Sequence, residues 1–201
     1  MFSDKYGLTD AVLKGVKTMT RRLIPLEETE GGVVPVSFWN GKWCGAHGKA
    51  LKRQPYEIGE IIAIAQSYET LANSGTKTLD SMLKNSLTFK EEYCGAGWGN
   101  KMFVKAELMP HKIKITNVSV ERLQSISDED AKKEGIYYDE PFPELADPNV
   151  WAFSVIGKKH KNTWWSPAPK IAFENLIKHM MGKEIWERNP WVFVYEFELL
   201  Q

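Results

Sequence analysis

The alternation of hydrophobic and polar positions predicts three β-strands. Residues 112–116 alternate cleanly, as in a strand with one buried face, and the apolar phase then shifts by one position, which predicts a bulge near Asn117. Residues 191–199 are apolar at every odd position and acidic at the later even ones, so this strand starts buried on both faces and ends half exposed. Residues 61–65 form a continuous apolar run, which predicts a buried strand.

Three segments show the signals of short helices. A first helix begins at Thr9 or Asp10, either of which can cap it, and runs to Lys14. Residues 128–134 begin with acidic side chains that complement the helix dipole, and residues 170–181 place apolar side chains at helical spacing. A glycine follows each helix and can take the left-handed conformation that ends it: Gly15, Gly135 and Gly182.

The remaining segments predict turns and insertions. Asn40-Gly41 is a strong hairpin signal between the apolar residues around it, and residues 101–105 resume an extended pattern. The segment from about residue 70 to residue 100 is polar and contains one short helical pattern at 79–83. This composition predicts an insertion or flap. The segment from about residue 137 to residue 166 is rich in aromatic residues and proline, which predicts a second, irregular insertion.

These elements predict one α+β domain spanning residues 1–201. Several strands that are far apart in the chain, together with few and short helices, favour a small, partly open β-barrel decorated by helices. A chain of 201 residues is long enough to bury a sizeable core as a single domain.

Composition excludes several classes of protein. The 26 basic and 26 acidic side chains give a net charge of zero, which argues against a bulk polyelectrolyte binder but permits a local basic patch. Two cysteines do not make a disulfide framework. No apolar run approaches the roughly 20 residues needed to span a bilayer, and the first residues lack an apolar signal core. We therefore expect a cytoplasmic protein that does not insert into membranes.

The chemically richest stretch runs from Gly15 to Arg22 and combines a lysine, two threonines and two arginines. A threonine hydroxyl is a poor nucleophile unless a base takes its proton, and Lys17 can be that base only when it is neutral. Burial and the neighbouring Arg21 and Arg22 would lower its pKa. For Lys17 and Thr20 to share one face, the chain must bend near Thr18-Met19, because residues three apart in a straight strand point to opposite faces.

Glu134 is the predicted partner of this stretch. It lies in the last turn of its helix, where the helix dipole disfavours an anion by a few tenths to about 1 kcal/mol, so a cation such as Lys17 or Arg21 would stabilise it. The alternative is that the basic cluster is a solvated edge and that Glu134 is a surface residue neutralised by Lys132 and Lys133.

Other candidate sites are weaker. Cys44 and His47 have a spacing found in zinc sites but lack a second ligand pair, so we expect no metal and no cofactor. Residues 158–161 are mostly basic and precede Trp164 and Trp165, a combination that could hold a nucleic-acid backbone and stack a base. Tyr68, just after the apolar run at 61–65, is a further candidate for the wall of a cleft.

Three stretches together resemble the ASCH domain, a branch of the PUA-like barrel superfamily. They are residues 15–22, residues 115–136 and the closing residues 189–197, and the set is most similar to the larger ASCH proteins of phages and prophages. The resemblance covers about half of the chain. It implies a β-barrel with a cleft suited to RNA or to modified nucleosides, and it leaves the substrate open because the two insertions are absent from the small ASCH enzymes.

The resemblance also implies roles for individual residues. Some small bacterial ASCH proteins are amidohydrolases that remove the acetyl group of N4-acetylcytidine with a lysine, a threonine and a glutamate, which correspond here to Lys17, Thr20 and Glu134. Two alternatives remain open: a binding module for RNA or modified bases without turnover, and an accessory protein whose insertions dock a protein partner. The predicted ligand contacts are Thr18, Arg21, Arg22, Tyr68, Trp164 and Trp165.

Overall fold

A computed structural model gives the fold and describes residues 2–30, 36–39, 42–51, 56–74, 96–138, 151–153 and 164–200. The helices are α1 (Leu8–Leu13), α2 (Tyr68–Asn73), α3 (Asp128–Lys133), α4 (Pro169–Met181) and α5 (Lys183–Arg188). The strands are β1 (Met19–Leu23), β2 (Ser37–Trp39), β3 (Lys42–Cys44), β4 (Ile61–Ala63), β5 (Lys112–Arg122), β6 (Tyr137–Tyr138), β7 (Trp151–Phe153), β8 (Trp164–Ser166) and β9 (Trp191–Leu200).

The main sheet has four antiparallel strands in the order β1-β9-β5-β4 and curls into a half-barrel. This confirms the α+β class, and the fold is compatible with a barrel. β5 and β9 are the longest of the described strands and lie at the centre, with a register shift between Ile115 and Asn117 that confirms the predicted bulge. None of the described helices is both long enough and apolar enough to cross a bilayer.

The sheet buries a different core on each face, because side chains alternate along its strands. Val192 and Val194 of β9 face the helices and pack with Met19, Leu123, Ile126, Phe173 and Leu176. Phe193, Tyr195 and Phe197 face the inside of the curl and pack with Val12, Ile24, Ile64, Ile113 and Ile115. β9 is thus buried on both faces at its start and half exposed at its end, as its sequence predicts.

The helices follow their predicted positions with one correction at a cap. α1 is preceded by Gly7 with φ of 66°, and no side chain caps it, so Thr9 and Asp10 lie inside the helix. α3 is capped by Ser127, whose hydroxyl accepts a hydrogen bond from Asp130 N at 3.0 Å. Gly15, Gly135 and Gly182 all have positive φ beyond the three predicted helices. The sequence predicted neither α2 nor α5.

Three strand predictions need correction. The run 61–65 does contain a strand, β4, but its predicted burial is wrong, because β4 pairs with β5 at the edge of the described sheet and Ile61 is 57% exposed. Residues 101–105 turn instead of extending, because the Asn100 side chain accepts from Met102 N at 2.8 Å and Phe103 has φ of 66°. The second insertion is not wholly irregular, because β6, β7 and β8 form a small antiparallel sheet.

The hairpin signal is consistent with the structure on both sides of its turn. β2 and β3 pair antiparallel, and the predicted turn at Asn40-Gly41 lies outside the described residues. The predicted helix at 79–83 and the basic run at 158–161 also lie outside them.

Candidate functional site

Backbone hydrogen bonds bring the Gly15–Arg22 stretch to the end of α3. After α1, Gly15 takes φ of 72° and Lys17 N donates to Ala11 O at 2.9 Å, so Lys17 belongs to a turn that precedes β1. Thr18 N then donates to Lys133 O at 2.9 Å, which ties the entry of β1 to the last turn of α3. Because Lys17 lies before the strand, strand alternation does not separate it from Thr20.

Lys17 and Glu134 form a buried ion pair. The Lys17 Nζ donates to Glu134 Oε2 at 2.5 Å and to Glu134 O at 2.7 Å, across 117 positions of sequence. Lys17 is 2% exposed and Glu134 is 5% exposed. Glu134 is the C-cap of α3, where the helix dipole disfavours an anion, and the lysine stabilises the carboxylate there. The alternative of a solvated lysine and a surface glutamate is therefore wrong.

Arg21 holds three carboxylates together. Its Nη1 donates to Glu134 Oε1 at 3.1 Å, its Nε and Nη2 donate to Glu121 Oε1 at 2.9 and 2.7 Å, and Nη2 also reaches Asp130 Oδ2 at 3.3 Å. The guanidinium lies 5.8 Å from the ring centre of Phe173. The N–H groups of Arg21 thus donate to carboxylates of the protein itself. We therefore assign Arg21 the role of positioning Glu134 and not that of binding a ligand.

Burial sets the protonation of Lys17. Removal of water from around the ammonium lowers the Lys17 pKa, the Glu134 carboxylate opposes this, and Arg22 and Arg21 add to the lowering. The net direction is downward because desolvation is the largest of these effects. A lysine of lowered pKa is a more available proton acceptor near neutral pH than a solvated one.

These residues line a pocket of about 360 Å³, which we call the main pocket. One wall is polar and includes Lys17, Thr20, Arg21, Arg22 and Glu134. A second wall is apolar and comes from α4, with the residues Phe173, Leu176, Ile177, Met180 and Met181. A flat ligand with polar edges fits such a pair of walls, because its faces contact carbon while its edges reach hydrogen-bonding groups.

The N-terminal segment closes one side of the main pocket. Lys101 pairs with Asp4 at 2.5 Å and donates to Phe2 O at 3.2 Å and to Thr9 Oγ1 at 2.5 Å. The Phe2 ring lies under Lys17, with its centre 6.0 Å from Nζ. These contacts place an aromatic ring and a further ion pair at the pocket edge.

The structure separates the other predicted ligand contacts. Arg22 lines the main pocket. Tyr68 is 1% exposed, accepts from Lys105 N at 2.9 Å, and packs with Leu71, Leu108 and Met109, so it is a core residue that does not border this pocket. Thr18 does not border it either. Trp164 and Trp165 lie in β8, and their side chains are outside the described part of the structure.

Sequence reasoning missed the residues that support the site. Glu121 lies on β5 and Asp130 in the first turn of α3, and nothing in their spacing links them to Arg21. The sequence predicted the amphipathic face of α4, but it did not indicate that Met180 and Met181 line a pocket. Phe2 and Lys101 carried no sequence signal at all.

In the described ranges, no group of three or more His, Cys, Asp or Glu side chains is placed to hold a metal ion. Cys44 is buried, and its thiol lies 3.7 Å from Lys42 O. His47 Nε2 is 2.5 Å from Glu30 Oε1 on an exposed turn.

Comparisons with protein-family models, with curated proteins and with solved structures gave no match.

Proposed function

We propose that this protein hydrolyses the N-acyl group of an acylated nucleoside, in the manner that its resemblance to ASCH amidohydrolases implies. Thr20 is the nucleophile, Lys17 is the base and Glu134 orients the lysine. The observation that carries the proposal is the buried Lys17–Glu134 pair at 2.5 Å, in a pocket that Thr20 also lines. A lysine, a carboxylate and a hydroxyl around one cavity are the groups that acyl transfer requires.

The geometry suits Lys17 to the role of base. Its two contacts, to Glu134 Oε2 and Glu134 O, account for both N–H groups of a neutral amine. The lone pair of that amine is used by neither contact and is free to accept a proton. The lowered pKa of Lys17 increases the fraction of this neutral form.

The reaction balances over two half-reactions. Thr20 Oγ1 bonds to the acyl carbon while its proton passes to Lys17 Nζ, and the C–N bond then breaks as Lys17 returns that proton to the leaving nitrogen. A water molecule next bonds to the acyl carbon and gives a proton to Lys17, and the C–O bond to Thr20 breaks as the threonine oxygen is reprotonated. The products are a carboxylic acid and the free amino nucleoside.

The charges around the main pocket favour a nucleoside over a polyanion. Among the described residues, the cations Arg21, Arg22 and Lys101, together with Lys17 when it is protonated, are balanced there by the carboxylates of Asp4, Glu121, Asp130 and Glu134. A site that draws its affinity from phosphate groups needs an excess of positive charge. The apolar α4 wall instead supports a flat, uncharged base.

The test is release of cytidine from N4-acetylcytidine, followed by chromatography. Thr20→Val keeps the side-chain shape and removes the hydroxyl, so we expect release to be lost, and Lys17→Met should lower the rate by about 10²–10⁴-fold. Thr116→Val is the matched control, because Thr116 is exposed on β5 and should leave the rate unchanged. No release by the unaltered protein would refute hydrolysis of this substrate, and undiminished release by Thr20→Val would refute the nucleophile.

A second candidate function is binding of a modified nucleoside without turnover. It is favoured by the short contact between Lys17 and Glu134, because an ammonium held by a carboxylate is no base. Calorimetric binding of N4-acetylcytidine without cytidine release would establish it. For RNA, the requirement is saturable binding that weakens with added salt and with Arg22→Ala.

A further inference from the structure

We propose that a second, smaller pocket beside Thr20 holds the acyl chain of the substrate, so that the preferred substrates carry an apolar acyl group larger than acetyl. The inference rests on the proposed hydrolase function and names the substrate class for it. We call this cavity the acyl pocket. It has a volume of about 160 Å³ and lies against the inner face of the sheet.

The acyl pocket is mostly apolar and has a polar part of its lining around Thr20. Its lining includes residues of β4, β5 and the end of β9, namely Ile62, Ile113, Ile115 and Phe197, together with Ala65 just beyond β4. Its polar residues are Thr20, Arg22 and Tyr56. The apolar part of this lining favours an alkyl or aryl group, because burying such a group there removes apolar surface from water.

The two pockets meet at Thr20. Both are bordered by Phe2, Thr20 and Arg22. β1 is the outermost strand of the main sheet as described. The acyl pocket lies against the inner face of the sheet and the main pocket lies on the side of α4. The two pockets therefore adjoin along β1. Thr20 pairs with Tyr195, whose side chain belongs to the inner core.

The position of Lys17 decides which half of the substrate enters which pocket. When Thr20 attacks the carbonyl carbon of an amide, the acyl chain lies on one side of that carbon and the departing nitrogen lies on the other. The departing nitrogen needs a proton, and Lys17, the donor in the proposed reaction, lines the main pocket and not the acyl pocket. The nucleoside therefore occupies the main pocket, and the acyl chain points into the acyl pocket.

The volume sets the size of the acyl group. An apolar cavity of about 150 Å³ in another protein binds benzene, so a cavity of about 160 Å³ accepts a phenyl ring or a short alkyl chain. The methyl group of an acetyl substrate leaves most of this space unfilled. Each added methylene that becomes buried is expected to raise kcat/KM roughly fourfold until the pocket is full.

The experiment measures kcat/KM for four cytidines acylated at N4 with acetyl, butanoyl, hexanoyl and benzoyl groups. We expect butanoyl, hexanoyl and benzoyl cytidine each to exceed the acetyl substrate by about tenfold or more. Ala65→Leu places extra carbon atoms in the acyl pocket and should lower the hexanoyl-to-acetyl ratio at least tenfold. Ala106→Leu makes the same change at an exposed position and should leave that ratio unaltered.

A second variant tests the acyl pocket independently, in case Ala65→Leu does not fold. Ile62→Ala enlarges the acyl pocket, so the preference should move toward the longer chains, while circular dichroism checks that each variant is folded. Acetyl as the best substrate, or a chain-length preference that neither variant changes, would overturn the acyl pocket and leave the hydrolase intact. Cleavage of none of the four substrates would overturn the hydrolase and the acyl pocket together.

Discussion

At the scale of the residue, the site consists of buried charges that need one another. Arg21 is 7% exposed and reaches Glu121, Asp130 and Glu134, while Lys17 takes the other oxygen of Glu134. Desolvation makes each of these charges costly, and the surrounding opposite charges offset that cost. Loss of one member is therefore expected to lower the stability of the fold as well as the rate of the proposed reaction.

Replacing Arg21 with methionine tests this dependence. The Arg21→Met side chain keeps most of the packing and removes the charge, which leaves Glu134 buried without one of its two cations. We expect the free energy of unfolding to fall by about 3 kcal/mol, measured by urea denaturation. Arg188→Met, at an exposed position of α5, should change it by less than about 0.5 kcal/mol. Equal effects of the two changes would argue against a buried charge network.

The lowered pKa of Lys17 predicts a pH dependence of stability. In the unfolded chain a lysine titrates near pH 10.4, and burial lowers this pKa in the folded protein. Between the two pKa values the unfolded chain binds more protons than the folded one, so the free energy of unfolding rises with pH in that window. Below the folded pKa the penalty for the buried ammonium is constant.

The measurement compares the unaltered protein with Lys17→Met in urea between pH 7 and pH 10, so that groups common to both cancel. The stability of the unaltered protein relative to Lys17→Met should increase with pH, by at most about 1.4 kcal/mol per pH unit. A relative stability that falls as pH rises would mean that the pKa of Lys17 is raised in the fold.

At the scale of the element, α3 and the glycine after it place Glu134. Ser127 caps the start of α3, and Thr18 N holds its last turn through Lys133 O. Gly135 leaves the helix with φ of 99°, and a Cβ there would lie 3.4 Å from Lys17 Cβ. The turn after α3 thus lies directly against the lysine that Glu134 binds.

Gly135→Ala should therefore be destabilising for a backbone reason. The added methyl group finds ordinary contact distances, but an L-residue at this positive φ is strained by about 1–2 kcal/mol. Thermal and urea unfolding measure the effect. Gly99→Ala is the control, because Gly99 does not have a positive φ and no atom of the described residues lies within 4 Å of the position that its added methyl group would take, so we expect almost no change. A neutral Gly135→Ala would show that the turn can rearrange.

At the scale of the whole molecule, the two long strands β5 and β9 organise both cores. β9 lies between β1 and β5 and packs against the helices with one face and inside the curl with the other. The site forms at the end of this sheet, where β1 meets α3 and α4. The β2–β3 hairpin is peripheral by comparison, since Phe38 and Trp39 are 59% and 69% exposed.

This arrangement predicts a gradient of hydrogen exchange. Amides of residues 192–197 should exchange most slowly, at rates set by global unfolding, because they are hydrogen-bonded in the centre of the sheet and buried on both faces. Amides of residues 42–51 should exchange faster through local opening. Mass spectrometry of peptides from these two regions makes the comparison. Similar protection in both would contradict a stable centre with a peripheral hairpin.

The sequence by itself determined the elements whose pattern is long and local. The alternation in β5 and β9 and the spacing in α4 were sufficient, because hydrophobic periodicity over many residues has one low-energy solution. The pattern predicted the strand β4 but not its exposure, and it was wrong at residues 101–105, because the environment of a run of three to five residues is decided by its neighbours in the fold. The short strands of the second insertion pair over a distance that no local pattern records.

The sequence also supplied the residues of the candidate site, and the tertiary structure decided what surrounds them. Lys17, Thr20 and Glu134 could be named from motif and resemblance, and their catalytic roles stay predictions. Three features depend on residues far apart in the chain. They are the burial of these side chains, the hydrogen bonds from Arg21 to Glu121 and Asp130, and the two pockets that meet at Thr20. Such features follow from sheet order and desolvation, which act only once the chain has folded.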